Sequence, residues 1–183
     1  MNKVISNLLS ELDIHPVLMD VGASGTPPEI WDSIANHSIY VGFDPDLRDI
    51  QELSDDRFHR GIIVNEAIAS QQESAEILFY LTKSPYCSSI LKPDLKSLSN
   101  FIFSDYFVVE RETKVRATTL NAVIERLSLS GVDWLKTDSQ GTDFTIFNSL
   151  SHDIRSQVLA VDVEPGLIDA YLGEDLFVDA HQG

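Results

Sequence analysis

Short runs of aliphatic and β-branched residues alternate with segments of helical periodicity along most of the chain. Residues 17–21 (VLMDV), 38–43 (SIYVGF) and 61–65 (GIIVN) read as strands. Between the first two, Ile30, Trp31 and Ile34 share a helical face. Thr26, Pro27, Pro28 and Glu29 have the form of a capping box with prolines in the first turn, so a helix is expected from about Pro27. Leu47, Ile50 and Leu53 predict a short helix after the second strand. The clearest helical signal is Leu120, Val123, Ile124 and Leu127 at i, i+3, i+4 and i+7, with Thr118 or Thr119 as N-cap. Downstream, strands at 132–137 and 157–163 flank a helix over about 142–150. A last helix is expected to start at Pro165, pack Leu167, Ile168, Tyr171 and Leu172, and stop at Gly173. Strands joined by crossover helices predict an α/β fold, a mainly parallel sheet with helices on both faces.

Residues 76–116 break this alternation. They contain β-like runs at 77–81 and 107–110, separated by a polar stretch with Pro85, Pro93 and many serines. The segment reads as an insertion lying over the sheet edge, preceded at the other end of the chain by an N-terminal helical segment over 1–16.

The 183 residues fit one domain of ordinary size, and 43% hydrophobic residues suffice for a core. Charge narrows the partners. With 13 Lys and Arg against 29 Asp and Glu, the net charge is −16, which disfavours nucleic acid and anionic membrane surfaces and leaves a small-molecule partner. The insertion, at +1, is the segment least repulsive to an anion. Cys87 has no intrachain partner, and no stretch approaches the roughly 18 apolar residues of a membrane helix, so a reducing, cytoplasmic setting is expected. The five histidines show no metal spacing, and no metal is expected. Trp31 and Trp134 read as core or wall aromatics.

In an open α/β sheet, ligands bind beyond the carboxyl ends of the strands. The loop there is 20–25 (DVGASG), whose glycines let the backbone turn tightly and approach a ligand. The second strand ends in Asp44, 24 positions after Asp20, where an acid can accept both hydrogen bonds of a ribose diol or, alternatively, cap a helix opened by Pro45. Pro27 and Pro28 remove backbone donors that a pyrophosphate would need, and Glu29 adds negative charge, so NAD is disfavoured. S-adenosylmethionine, with a positive sulfonium and no phosphate, suits an acidic loop. Asp138, after the 132–137 strand, could orient or deprotonate a hydroxyl, with Asp143 as a second acid, or it could simply cap the helix. Asp162 and Glu164 could face an acceptor or cap the helix that follows.

Taken in order, 18–24 (LMDVGAS), 43–45 (FDP), 65–68 (NEAI), 119–121 (TLN) and 135–143 (LKTDSQGTD) resemble the FkbM family of S-adenosylmethionine-dependent methyltransferases. The resemblance runs from about residue 17 to Glu164. It implies a Rossmann-like class I methyltransferase fold and O-methylation of a hydroxyl on a sugar or natural product. It further implies that Asp20, Gly22, Ala23 and Gly25 surround the methionine part of the cofactor, Asp44 holds the ribose, and Glu66 and Ala67 lie near the adenine. Two departures stand out. Gln140 occupies a position where the family usually has Glu, and only 19 residues follow Glu164, too few for the helix expected there and the antiparallel strand pair that closes the class I fold. A shortened domain with an exposed sheet edge, prone to self-association, is expected. These departures also motivate a second reading, a cofactor-binding or interaction module without catalysis.

Overall fold

The computed structural model describes residues 3–46, 57–71 and 74–182. Its elements, in chain order, are α1 (Lys3–Glu11), β1 (Val17–Val21), β2 (Ile39–Phe43), β3 (Arg60–Val64), β4 (Ala67–Ile68), β5 (Glu76–Thr82), α2 (Leu95–Leu98), β6 (Val109–Thr118), α3 (Leu120–Arg126), β7 (Trp134–Thr137), α4 (Asp143–Asn148), α5 (His152–Arg155), β8 (Ala160–Val163) and α6 (Phe177–Gln182). Five strands form a parallel sheet in the order β3-β2-β1-β7-β8. The α/β, Rossmann-like expectation holds.

Strand alternation divides the core. Val17, Met19 and Val21 face the side packed by Leu120, Val123 and Ile124 of α3 and Ile146 of α4. Leu18 and Tyr40 face the other side, where Trp31, Ala35 and Phe58 cover them. Helix α3 begins where its signals placed it, with the Thr119 hydroxyl accepting from the Ala122 amide at 3.2 Å.

The helix expected from Pro27 is absent. Two single 3₁₀ turns, Glu29–Trp31 and Ala35–His37, take its place. Thr26 and Pro27 each precede a proline, which disfavours the helical region at both, and Pro28 is itself extended at the start of the first turn, with ψ at 129°. The turns nevertheless carry Trp31, fully buried, to within 6.0 Å of Tyr40 and 6.1 Å of Trp134, ring centre to ring centre. The helix expected around Leu47, Ile50 and Leu53 lies outside the described residues.

The insertion is a hairpin joined to the region beyond the edge strand β3. β5 and β6 pair antiparallel, and β4, which follows β3 after two residues, joins β6 in parallel through Ala67 and Ala117. The hairpin is thereby rooted at the carboxyl end of β3, the edge strand of the main sheet. The Ser89 hydroxyl, donating to the carbonyl of Gln140 at 2.7 Å, ties it to the loop after β7.

No helix starts at Pro165. Residues 166–176 form a loop closed at its base, where the Gly166 amide bonds the Asp175 carbonyl and the Phe177 amide bonds the Gly166 carbonyl. Pairing with the insertion overrides the local pattern: Asp94 donates to the Ala170 carbonyl and Leu172 to that of Lys92, both at 2.9 Å. The Glu174 carboxylate accepts from the Ala170 and Tyr171 amides, which a helix would have used internally. Among the described residues β8 has no strand on its outer side, and no helix is long and apolar enough to cross a membrane.

Candidate active site

Because β1, β2 and β7 run parallel in register, Val21, Phe43 and Thr137 end side by side and the three following loops meet. The Gly22 and Ala23 amides both donate to the Phe43 carbonyl, at 2.9 and 3.0 Å, and the Asp138 amide donates to that of Val21 at 2.9 Å. Gly22 sits at φ +80°, and a Cβ there would lie 2.1 Å from the Asp138 carbonyl oxygen. Only glycine lets these two loops touch.

The loops open onto a cavity whose floor includes Gly22, Ser24, Asp44, Asp138 and Gln140. Ala67 and Ile68 form one side, and Phe79, Pro85, Ser88 and Ile90 of the insertion roof it. Among the described residues its lining carries three carboxylates, Asp44, Asp46 and Asp138, and no Lys, Arg or His.

Gly22, Asp44, Ala67 and Asp138, four residues singled out from sequence, therefore come together at the cavity. Asp44 is nearly buried and its Oδ1 accepts from the Asp46 amide at 2.7 Å. The Asp138 carboxylate accepts from the Gln140 side chain.

Asp20, Ala23, Gly25, Glu66 and Asp143 are not among the lining residues. Asp20 accepts from the Tyr40 hydroxyl and from Lys136 Nζ, each at 3.0 Å. Burial pushes its carboxyl above the ordinary value, against the pull of Lys136 and Tyr40. Burial would lower the Lys136 ammonium, but Asp20, with Asp138 and Glu164 beyond it, holds it above its ordinary value. Ala23 packs near Gly42, and Gly25, at φ +80°, turns the chain in open space. Glu66 is clamped by Arg116 and Arg126 at 2.7 and 2.8 Å. Asp143, fully buried, accepts from the Ser139 amide at 2.9 Å and the Gly141 amide at 3.4 Å, and burial raises its carboxyl too.

A family model described as the methyltransferase FkbM domain matches residues 20–180. The chain belongs to the FkbM methyltransferase family. No curated protein and no solved structure gives a significant match. The matched span contains every loop that meets at the cavity and the whole insertion that roofs it in the FkbM domain.

Sequence reasoning passed over two contributors. Of the roof residues, Pro85, Ser88 and Ile90 lie in a polar stretch with no periodicity, and Phe79 lies in the β-like run 77–81, which carries no sign of facing a cavity. Tyr171, expected on a helix face, is buried in the closed loop with its hydroxyl 2.9 Å from the Cys87 carbonyl and 3.1 Å from Gln140 Oε1. Gln140, noted as a departure, is itself in the left-handed region at φ +60° and joins Asp138, the insertion and the C-terminal loop.

Proposed function

We propose that this methyltransferase uses S-adenosylmethionine, bound in the cavity at the ends of β1, β2 and β7, to methylate a hydroxyl of a small-molecule acceptor. The observation that carries the reading is the meeting of three loops at the carboxyl end of the parallel sheet: Gly22, where a Cβ would strike the Asp138 carbonyl, Asp44 at the tip of the second strand and Asp138 after β7 line one cavity in a chain of the FkbM family. When bound, S-adenosylmethionine supplies a methyl group on a positively charged sulfur. Gly22 allows close backbone approach, and Asp44, at the tip of the second strand, is placed to accept from the ribose hydroxyls. Ala67 is the counterpart on the adenine side.

Methylation of a hydroxyl requires that its oxygen be held near the methyl carbon and its proton be removed or shared. Asp138 stands at the rim as a carboxylate acceptor for that proton, oriented by the Gln140 amide. Lys136, held as a cation against Asp20, is no base. Asp143 braces the 139–141 turn that sets Asp138.

Thermal unfolding with S-adenosylmethionine, S-adenosylhomocysteine and NAD in parallel tests the assignment. At a hundredfold excess over Kd a native-state ligand adds about 2.7 kcal/mol. Both sulfur compounds are expected to raise Tm and NAD to leave it unchanged. No shift with either sulfur compound overturns the reading.

A further inference from the structure

A second cavity meets the first across a shared wall. Asp138 and Gln140 line both, and the far side is built by Phe107 of the insertion, Glu164 after β8, and Leu167, Tyr171 and Glu174 of the closed loop. Its position comes from the irregular loop that replaces the expected helix. Tyr171 and Phe107 lie with ring centres 5.5 Å apart and offer an apolar wall, since the Tyr171 hydroxyl is engaged by Cys87 and Gln140. Leu167 stands 84% exposed at the mouth. Among the described lining residues the charged side chains are Asp138, Glu164 and Glu174, all acidic.

Asp162, on β8 and also considered for an acceptor, accepts from the Trp134 indole N–H at 2.8 Å. Glu164 remains. The Glu174 carboxylate is occupied in closing its own loop, so its charge is fixed in place.

We infer that this second cavity is the acceptor site and that it admits neutral or cationic hydroxyl-bearing molecules while excluding anionic ones. The inference rests on the cofactor assignment above, and Asp138 is its hinge, because it is the charged side chain that faces both cavities. An acceptor phosphate or carboxylate would enter beside three like charges with no described cation in the lining, whereas hydroxyls can donate to Glu164 and Asp138.

The test uses the full chain saturated with S-adenosylhomocysteine and three probes of similar size, methyl glucoside, glucosamine and glucose 6-phosphate, with binding read by saturation-transfer NMR and calorimetry. The neutral and cationic probes are expected to bind at least tenfold more tightly than the phosphate. Leu167→Trp should fill the mouth and weaken both by at least tenfold, with S-adenosylhomocysteine affinity and Tm unchanged. Glu164→Gln should narrow the discrimination against phosphate by threefold or more. If the homocysteine compound binds but no probe does, if glucose 6-phosphate binds as well as methyl glucoside, or if Leu167→Trp leaves probe affinity intact, the acceptor assignment falls while the cofactor reading stands. Failure of S-adenosylhomocysteine itself to bind overturns both.

Discussion

Asp44 and Asp138, at the tips of β2 and β7, line a cavity, each held by a donor from two residues further along its own loop, whereas Asp20, Glu66 and Asp143 lie outside that lining and have both carboxylate oxygens bound by donors of the strands and loops around them. The same residue type thus does two jobs at one end of the sheet. Acids behind the rim hold strands and loops together, and their loss should appear as lost stability. Acids at the rim line the cavity, and on the proposed function their loss should appear in binding or turnover.

The strongest way to break this contrast is at the Asp20–Lys136 pair. Lys136→Met leaves a buried carboxylate without its cation and is expected to cost about 3 kcal/mol in urea unfolding, with S-adenosylhomocysteine affinity of the folded protein nearly unchanged. A large loss of affinity at unaltered stability would move Asp20 to the ligand-facing set. Asp138→Asn keeps shape and removes charge. It should cut methyl transfer roughly a hundredfold in steady-state assays while cofactor affinity and Tm hold, the range of a general base. Turnover within a few-fold of the parent would return Asp138 to a turn-forming role.

Asp44→Ala should weaken S-adenosylhomocysteine by roughly 1.5–3 kcal/mol in calorimetry, the usual worth of hydrogen bonds to a charged group. The smallest effect concerns Asp143. Its folded-state carboxyl is raised by burial, so the folded protein holds that proton more tightly than the unfolded chain. The parent therefore gains stability from this group as pH falls from above the raised value to the ordinary carboxyl range, and loses it again as pH rises. Asp143→Asn should remove that increment, seen as a flatter dependence of Tm on pH in the acid range.

Much of the sheet was legible because its signals are local. The run 17–21 is a strand on alternation and β-branching alone, and Thr119 with Leu120, Val123 and Ile124 marks a helix within one turn of chain. Asp44 and Asp138 were readable as rim acids because the carboxyl end of a parallel strand is a fixed address. The helices expected at Pro27 and Pro165 show where such reading fails. At Pro27 the two prolines act on the residues before them as well as on themselves. At Pro165 backbone pairing with residues 92–94, more than seventy positions away, outweighs a good apolar face.

By itself, the sequence determined the α/β class, the family, the strands of the main sheet and the acidity of their rim, all carried by residue type and short-range spacing. Tertiary structure alone decided which acids line the cavity. Asp20 looks like a loop acid until Tyr40 and Lys136 are brought against it, and Gly22 looks like a turn residue until the Asp138 carbonyl is found where its Cβ would be. It also decided the second cavity, since Phe107, Gln140 and Tyr171 meet only after the insertion and the C-terminal loop have packed. Contacts between residues dozens of positions apart leave no periodic trace in the chain, because their geometry is set by how whole elements pack.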